Sequence, residues 1–165
     1  MKGLVSAALA FVVIGHGAMA RADGVLSRGV LTTVTGDGTK DHEVCVWAEV
    51  RTADSATVLA VIQNGECGSP DTEYAPSSTH DIDFRLAMTA AEKRNCQCFV
   101  AFMWVTGPTV GEHTWRVREA TITLYFSDGS TLRTRQKGLK LLPQQGKKDR
   151  SVRFQQGCGH FLFVD

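Results

Sequence analysis

Apolar and polar residues alternate with a period of two over most of the chain beyond residue 20, the mark of strands that turn one face to a core and the other to water. The clearest case runs from His113 to Leu132, HTWRVREATITLYFSDGSTL. Trp115 and Val117 form one apolar set, and Ala120, Ile122, Leu124 and Phe126 form another. The Ser-Asp-Gly-Ser that follows reads as a hairpin turn leading into a return strand that reaches Arg135. The apolar positions move from odd to even around Arg118 and Glu119. One continuous pleat cannot do this without a bulge or a bend between two strands, and a corner is expected there.

Further strands are predicted over residues 29–34 and 43–51, the second with Val44, Val46, Ala48 and Val50 inward and Cys45, Trp47 and Glu49 outward. Residues 57–63 form another, ended by the turn dipeptide Asn64-Gly65. Residues 80–88 put Ile82, Phe84, Leu86 and Met88 on one face. Residues 96–105 are apolar on both faces, as suits the middle of a packed sheet. A short segment over 139–142 and a last pair of strands, 151–154 and 161–164, complete the set. Residues 89–95 hold good helix formers, enough for one or two turns with Thr89 as cap. Short strands at this spacing, separated by Gly-, Pro- and Ser-rich loops, predict an all-β fold: a two-sheet antiparallel β-sandwich with one short helical turn.

The first twenty residues break this pattern. Lys2, an apolar run from Leu4 to Ile14 and the small-residue exit Ala18-Met19-Ala20 read as a signal peptide, leaving 21–165 as a single secreted or periplasmic domain. No later apolar run is long enough to span a bilayer. The composition, 43% hydrophobic and 21% charged, is that of a globular domain. The net charge of +1 hides an asymmetry: from Arg133 onward eight basic residues face only Asp149 and Asp165, so the rest of the exported chain is about as acidic as this end is basic.

Five cysteines, Cys45, Cys67, Cys96, Cys98 and Cys158, lie in the exported part, where thiols oxidise. Two disulfides and one leftover thiol are expected, in any of fifteen arrangements. Cys96 and Cys98 are poor partners for each other if they share one face of a strand, about 6 to 7 Å apart.

Candidate chemistry gathers in the loop around residue 40. Asp37, Asp41 and Glu43, with Gly36 and Gly38 close by, put acidic oxygens on one loop, raw material for a calcium site although without the spacing of an EF-hand. His42 and His113 each lie beside acidic residues just ahead of a strand and would meet if those strands are neighbours. Trp47 falls on the polar side of its strand, where it would serve as a platform for a ligand. No G-x-S-x-G, Walker loop, dinucleotide fingerprint or H-E-x-x-H is present, so nucleotide and nucleic-acid chemistry are not expected.

The order TGDGTKDHEVCVWAEV, then HDIDFRLA, then HTWRVREATITLYFSDG resembles the layout of PLAT/LH2 domains and, more loosely, C2-type sandwiches. Over residues 31–140 the resemblance implies a two-sheet sandwich, loop calcium in some members, and lipid or protein docking. It would make Asp37 and Asp41 metal-loop candidates and Trp115 a packing residue. The cysteines and the basic end depart from it.

Together these features point to a non-enzymatic binding module that recognises a protein, lipid or glycan through its end loops, with calcium as a candidate cofactor. Two alternatives stand beside it: a small secreted hydrolase using His42 or His113 with nearby carboxylates, and a disulfide-stapled inhibitor or effector.

Overall fold

A computed structural model describes residues 24–88, 90–96, 98–107, 114–142 and 152–155. Over these residues the strands are β1 (Leu26–Thr35), β2 (Cys45–Arg51), β3 (Val58–Gly65), β4 (Thr79–Asp83), β5 (Arg85–Leu86), β6 (Val100–Thr106), β7 (Trp115–Phe126), β8 (Thr131–Leu141) and β9 (Val152–Gln155). A single 3-10 turn, Pro70–Thr72, and one short helix, α1 (Lys93–Cys96), accompany them. The strands make two antiparallel sheets, ordered β4-β1-β7-β8 and β5-β3-β2-β6-β9. The inward side chains of both close a common core, including Leu31, Val46, Ala48, Val50, Met103, Trp115, Ile122 and Leu124. The expected all-β sandwich is the fold. The expected signal peptide (residues 1–20), His113, Cys158 and the strand expected over residues 161–164 lie outside the described residues.

The parity change at Arg118 has a simpler origin than a corner. Residues 115–126 are one strand, and the β1 register shifts between Val34 and Thr35, which face Glu119 and Val117. Arg118 is therefore the extra residue of a β-bulge, and the inward set passes from Trp115 and Val117 to Ala120, Ile122 and Leu124 without a break in the strand. The β8 strand changes parity with its partner: Leu139 and Leu141 point inward opposite Val117 and Trp115, whereas Leu132 packs inward opposite Leu124. Gly138 takes up that change at φ +69, a backbone conformation that suits glycine. The predicted 139–142 segment is thus the continuation of β8.

Residues 80–88 alternate cleanly yet belong to two sheets. The β4 strand pairs with β1, and β5 pairs with β3 in the opposite sheet. Phe84 turns the chain across between them, its amide donating to the Gly29 carbonyl. Its side chain packs so closely over Gly29 that a Cβ there would lie 3.2 Å from Phe84 Cβ. Ile82 and Phe84 are buried as expected, but Met88 is 44% exposed because the chain has left the sheet by then. Asn64-Gly65 makes no hairpin turn. Asn64 has φ 50, and Gly65 still pairs with Val46 beyond a register shift, so the dipeptide kinks the end of β3. Strand β6 is shorter than predicted: Cys96 ends α1 and Cys98 lies in the turn that follows.

Candidate functional site

The antiparallel register sorts the loops into two groups. At one end, here called the rim, β1 runs out into residues 36–44, β2 begins, β3 ends, and residues 66–78 lead into β4. The two rim loops are stitched together by backbone hydrogen bonds. Lys40 and Tyr74 exchange both of theirs at 3.0 Å, Gly68 donates to the His42 carbonyl, and Ser77 donates to that of Gly36. The Cys45–Cys67 disulfide ties the start of β2 to the second loop.

Beneath these stitches lies a group that the alternation pattern does not reveal. Lys40 is fully buried. Its ammonium donates to the backbone carbonyls of Glu66, Thr72 (2.8 Å) and, more weakly, Asp41 (3.4 Å). It also sits 4.6 Å from the centroid of the Tyr74 ring, within cation–π range. Burial lowers its pKa to about 8, against the opposing pull of Glu66 and then Asp41. Three carbonyl oxygens converging on one cation is an arrangement that loops use to hold a metal ion; here the chain supplies the cation itself.

Tyr74 extends the cluster. Its ring stacks on His80 at 3.5 Å between centroids and meets Trp115 edge-on at 5.8 Å. Trp115 Nε1 donates to Thr35 Oγ1 at 3.4 Å. The Tyr74 hydroxyl is buried with no hydrogen-bond partner in good geometry, although the Glu66 carboxylate is close enough to act on it. Burial, and then Glu66, raise the tyrosine's pKa above its ordinary value. Burial also holds the His80 imidazole below its usual range; Glu66 opposes this and the Lys40 charge adds to it. Lys40 in TGDGTKD reads from sequence as a loop lysine. The one available signal is Tyr74, the single large aromatic in a loop of Gly, Ser, Pro and acidic residues.

The predicted site residues sit above this cluster without converging. Asp37 is 73% exposed at its side chain and pairs with Arg116 at 3.0 Å. Asp41 accepts from the Glu43 amide at 3.0 Å and lies 3.1 Å from His42 Nδ1. Glu43 is exposed. Among the described residues, no three His, Cys, Asp or Glu side chains are placed to hold a metal ion. His42 and Asp41 form an oriented imidazole–carboxylate pair; His113, its proposed companion, lies outside the described residues. Trp47 is away from the loops, on the outer face of the five-stranded sheet. It stacks on Trp104 at 5.9 Å and donates from Nε1 to Thr106 Oγ1 at 2.9 Å. It is half-buried, so its ring is a packing surface and not an open platform.

Of the cysteines, Cys45 and Cys67 are bonded to each other. Cys98 is disulfide-bonded to a partner outside the described residues, and Cys96 is a buried free thiol. Cys96 and Cys98 are not bonded to each other, but the reason differs from the one expected: they sit on a helix and a turn, not on one face of a strand.

The end opposite the rim holds a wide cavity of about 540 Å³, lined in part by Thr52, Thr57, Leu59, Met88, Ala91 and Arg94. Its size is that of a ligand site, but its polar groups are already used by the turns that form it. The Thr52 hydroxyl donates to Asp54 and accepts from the Thr57 amide, and Arg94 is paired with Glu92.

No protein-family model matches the chain, and no curated protein matches it in sequence. Among the described residues no helix is long and apolar enough to cross a membrane.

Proposed function

We propose that this chain is a non-enzymatic binding module, exported to an oxidising compartment, whose rim recognises a protein partner that presents basic groups. One observation carries the reading: the two rim loops are locked to each other by the Lys40 ammonium, so the side chains above it are held in fixed positions before any partner arrives. Those side chains are mostly acidic. Asp37, Asp41 and Glu43 come from one loop, and Glu66, Asp71 and Glu73 from the other. The buried Lys40 and the Arg116 paired with Asp37 are the basic groups that the described contacts place against them. An acidic, pre-organised surface favours encounter with a basic partner and fixes its register. The disulfide supports export, since such bonds persist where the medium is oxidising. Calcium is not needed in this reading, because Lys40 supplies the positive charge at the loop junction.

The test is an array of basic peptides, neutral and acidic glycans and phosphatidylserine vesicles, probed with the wild-type chain and with Glu43→Gln/Glu73→Gln. Both glutamates are exposed, so the variant keeps its fold. Basic peptides are expected to bind, and the variant to bind them at least fivefold more weakly. Binding confined to glycans or vesicles, or peptide binding that the variant leaves intact, overturns the reading. The hydrolase alternative draws on the His42–Asp41 pair and is separated by His42→Ala, which abolishes any hydrolysis the pair supports while leaving peptide capture in place.

A further inference from the structure

The β7–β8 ribbon turns to solvent a face of nearly one sign. Arg116 and Arg118 on β7, and Arg133, Arg135, Lys137 and Lys140 on β8, are all exposed. The bulge makes this face denser than a regular ribbon allows. At Arg118 and Glu119, and again at Lys137 and Gly138, two successive residues lie outward, which brings charges from both sides of the parity change onto one surface. Register places Lys137 opposite Glu119 and Lys140 opposite Arg116.

Two of the six have acidic partners: Arg116 holds Asp37 at 3.0 Å, and Arg135 reaches Glu119 at 3.5 Å. Arg118, Arg133, Lys137 and Lys140 have none among the described residues. Like charges at alternate positions of one strand, or across a pair of strands, repel each other, and a sheet that needed them only for solubility would mix the signs. The opposite edge of the same sheet shows such compensation: Asp83 pairs with Arg28 at 2.7 Å. Charge on the β8 edge would also discourage edge-to-edge pairing, but Arg118 lies on an interior strand and has no part in that.

We propose that the outward face of the β7–β8 ribbon binds a linear acidic polysaccharide, its carboxylate or sulfate groups meeting Arg118, Arg133, Lys137 and Lys140. From Arg133 to Lys140 the row runs about 23 Å along the strand, the shape of a chain and not of a compact ion. Thr123 and Thr131, beside or within the row, offer hydroxyls to sugar oxygens. Base stacking would need open aromatic faces, and the one exposed aromatic on this surface, Tyr125, already carries the Arg28 guanidinium 5.8 Å from its ring centroid. A membrane surface would be met by apolar side chains set among the charges, whereas the residues between these basic groups on β8 are the half-buried, polar Thr134 and Gln136, the exposed Gly138 and the buried Leu139. This face meets the rim at Arg116, which pairs with Asp37, but the four residues proposed to bind lie outside that pair, and the proposal does not depend on the reading given to the rim.

The experiment measures binding of the full chain to heparin, polyglucuronate and neutral dextran, and to phosphatidylserine vesicles and duplex DNA, over a range of salt. Two charge-neutralised variants are compared, Arg133→Gln/Lys137→Gln and Arg118→Gln/Lys140→Gln, each checked for an unchanged melting temperature. The expected result is binding to heparin or polyglucuronate that weakens with salt, no binding to dextran, and at least a fivefold loss of affinity in both variants. A smaller loss in both folded variants, equal binding to dextran, or tighter binding to vesicles or DNA overturns the proposal.

Discussion

At the rim, where β2 begins and β3 ends, the loops are joined by a disulfide with a sequence separation of 22 and by an ammonium buried among three carbonyls. At the opposite end the turns close on themselves, and backbone hydrogen bonds join them to the start of β1. Asp54 and Asp128 each accept from a nearby hydroxyl, Thr52 and Ser130, and from a backbone amide, which keeps both carboxyls below their usual range. There the amides of Leu26 and Lys93 stitch the start of β1 to α1 through Ala91 and Gly24, and Lys93 lies 3.7 Å from Asp128. Both ends thus have links between segments distant in sequence: the rim's are a covalent bond and a buried cation, whereas the other end has backbone hydrogen bonds, a partly exposed ion pair and self-closing turns around an open cavity. Long loops would move without such links, and rim loops fixed in advance can recognise a partner without first being ordered.

The sharpest break in that contrast removes the rim's links one at a time. Lys40→Met fills the same space but strands the carbonyls of Glu66 and Thr72, and is expected to cost about 2 to 4 kcal/mol. Cys45→Ser with Cys67→Ser frees the loop and is expected to cost about 3 kcal/mol. Because both act on one pair of loops, the triple variant should lose less than the sum, by about 1 kcal/mol, since a freed loop can rehydrate the carbonyls on its own. Urea unfolding of the three variants measures this. Losses that add to within experimental error would mean that the two links serve separate units.

Why the strands could be read and the rim's centre could not follows from what each requires. Alternation identifies a strand because every second side chain must leave water, so Val46, Ala48, Val50, Ile122 and Leu124 were placed correctly from the pattern alone. The same reasoning located the irregularity at Arg118. It could not tell a bulge from a corner, because both shift parity by one and only the pairing with β1 distinguishes them. Residues 80–88 misled for the opposite reason: the chain crosses between sheets without losing parity, so nothing in the alternation marks Phe84. Lys40 was illegible because its burial is decided by carbonyls of Glu66 and Thr72, some 26 and 32 residues away, and a backbone carbonyl has no signature in sequence. Asp37, Asp41 and Glu43 were rightly seen to share a loop, but proximity along the chain did not become convergence once Arg116 and His42 drew two of them apart.

The same lysine sets a pH dependence of its own above neutral pH. Below about pH 8 both folded and unfolded chains hold the Lys40 proton, and stability does not vary with it. Above that the folded chain releases the proton first, while the unfolded chain keeps it up to its ordinary value of 10.5. The unfolded state then binds more protons, so the lysine's contribution rises with pH, by at most about 1.4 kcal/mol per pH unit. Tyr74 acts in the other direction. Its raised pKa keeps it protonated in the fold where the unfolded side chain ionises, near 10.0, and stability falls above that point. Urea unfolding of wild type and Lys40→Met at pH 7, 8, 9 and 10 isolates the lysine: their difference should shift in favour of wild type above pH 8. A difference that stays flat from pH 7 to 10 is incompatible with an ammonium desolvated as described.

The smallest effect is expected at Cys96, beside the turn-end cavity. The thiol is fully buried in the main core, and burial pushes its pKa up to about 11, so at neutral pH it is a protonated, apolar filler. Cys96→Ala removes one sulfur atom from a packed site and should cost about 1 kcal/mol, below either rim change. Reactivity separates burial from mere pairing. With Cys45, Cys67 and Cys98 in disulfides, a thiol reagent at pH 8 should label Cys96 alone among the described residues, and only as fast as the molecule opens. Since α1 is a single turn next to a cavity, that opening is expected to be local and faster than global unfolding. Labelling should therefore be slow, yet insensitive to Lys40→Met, which loosens only the far end. If Lys40→Met accelerates Cys96 labelling as much as it lowers global stability, the two ends open together and the contrast between them does not extend to their dynamics.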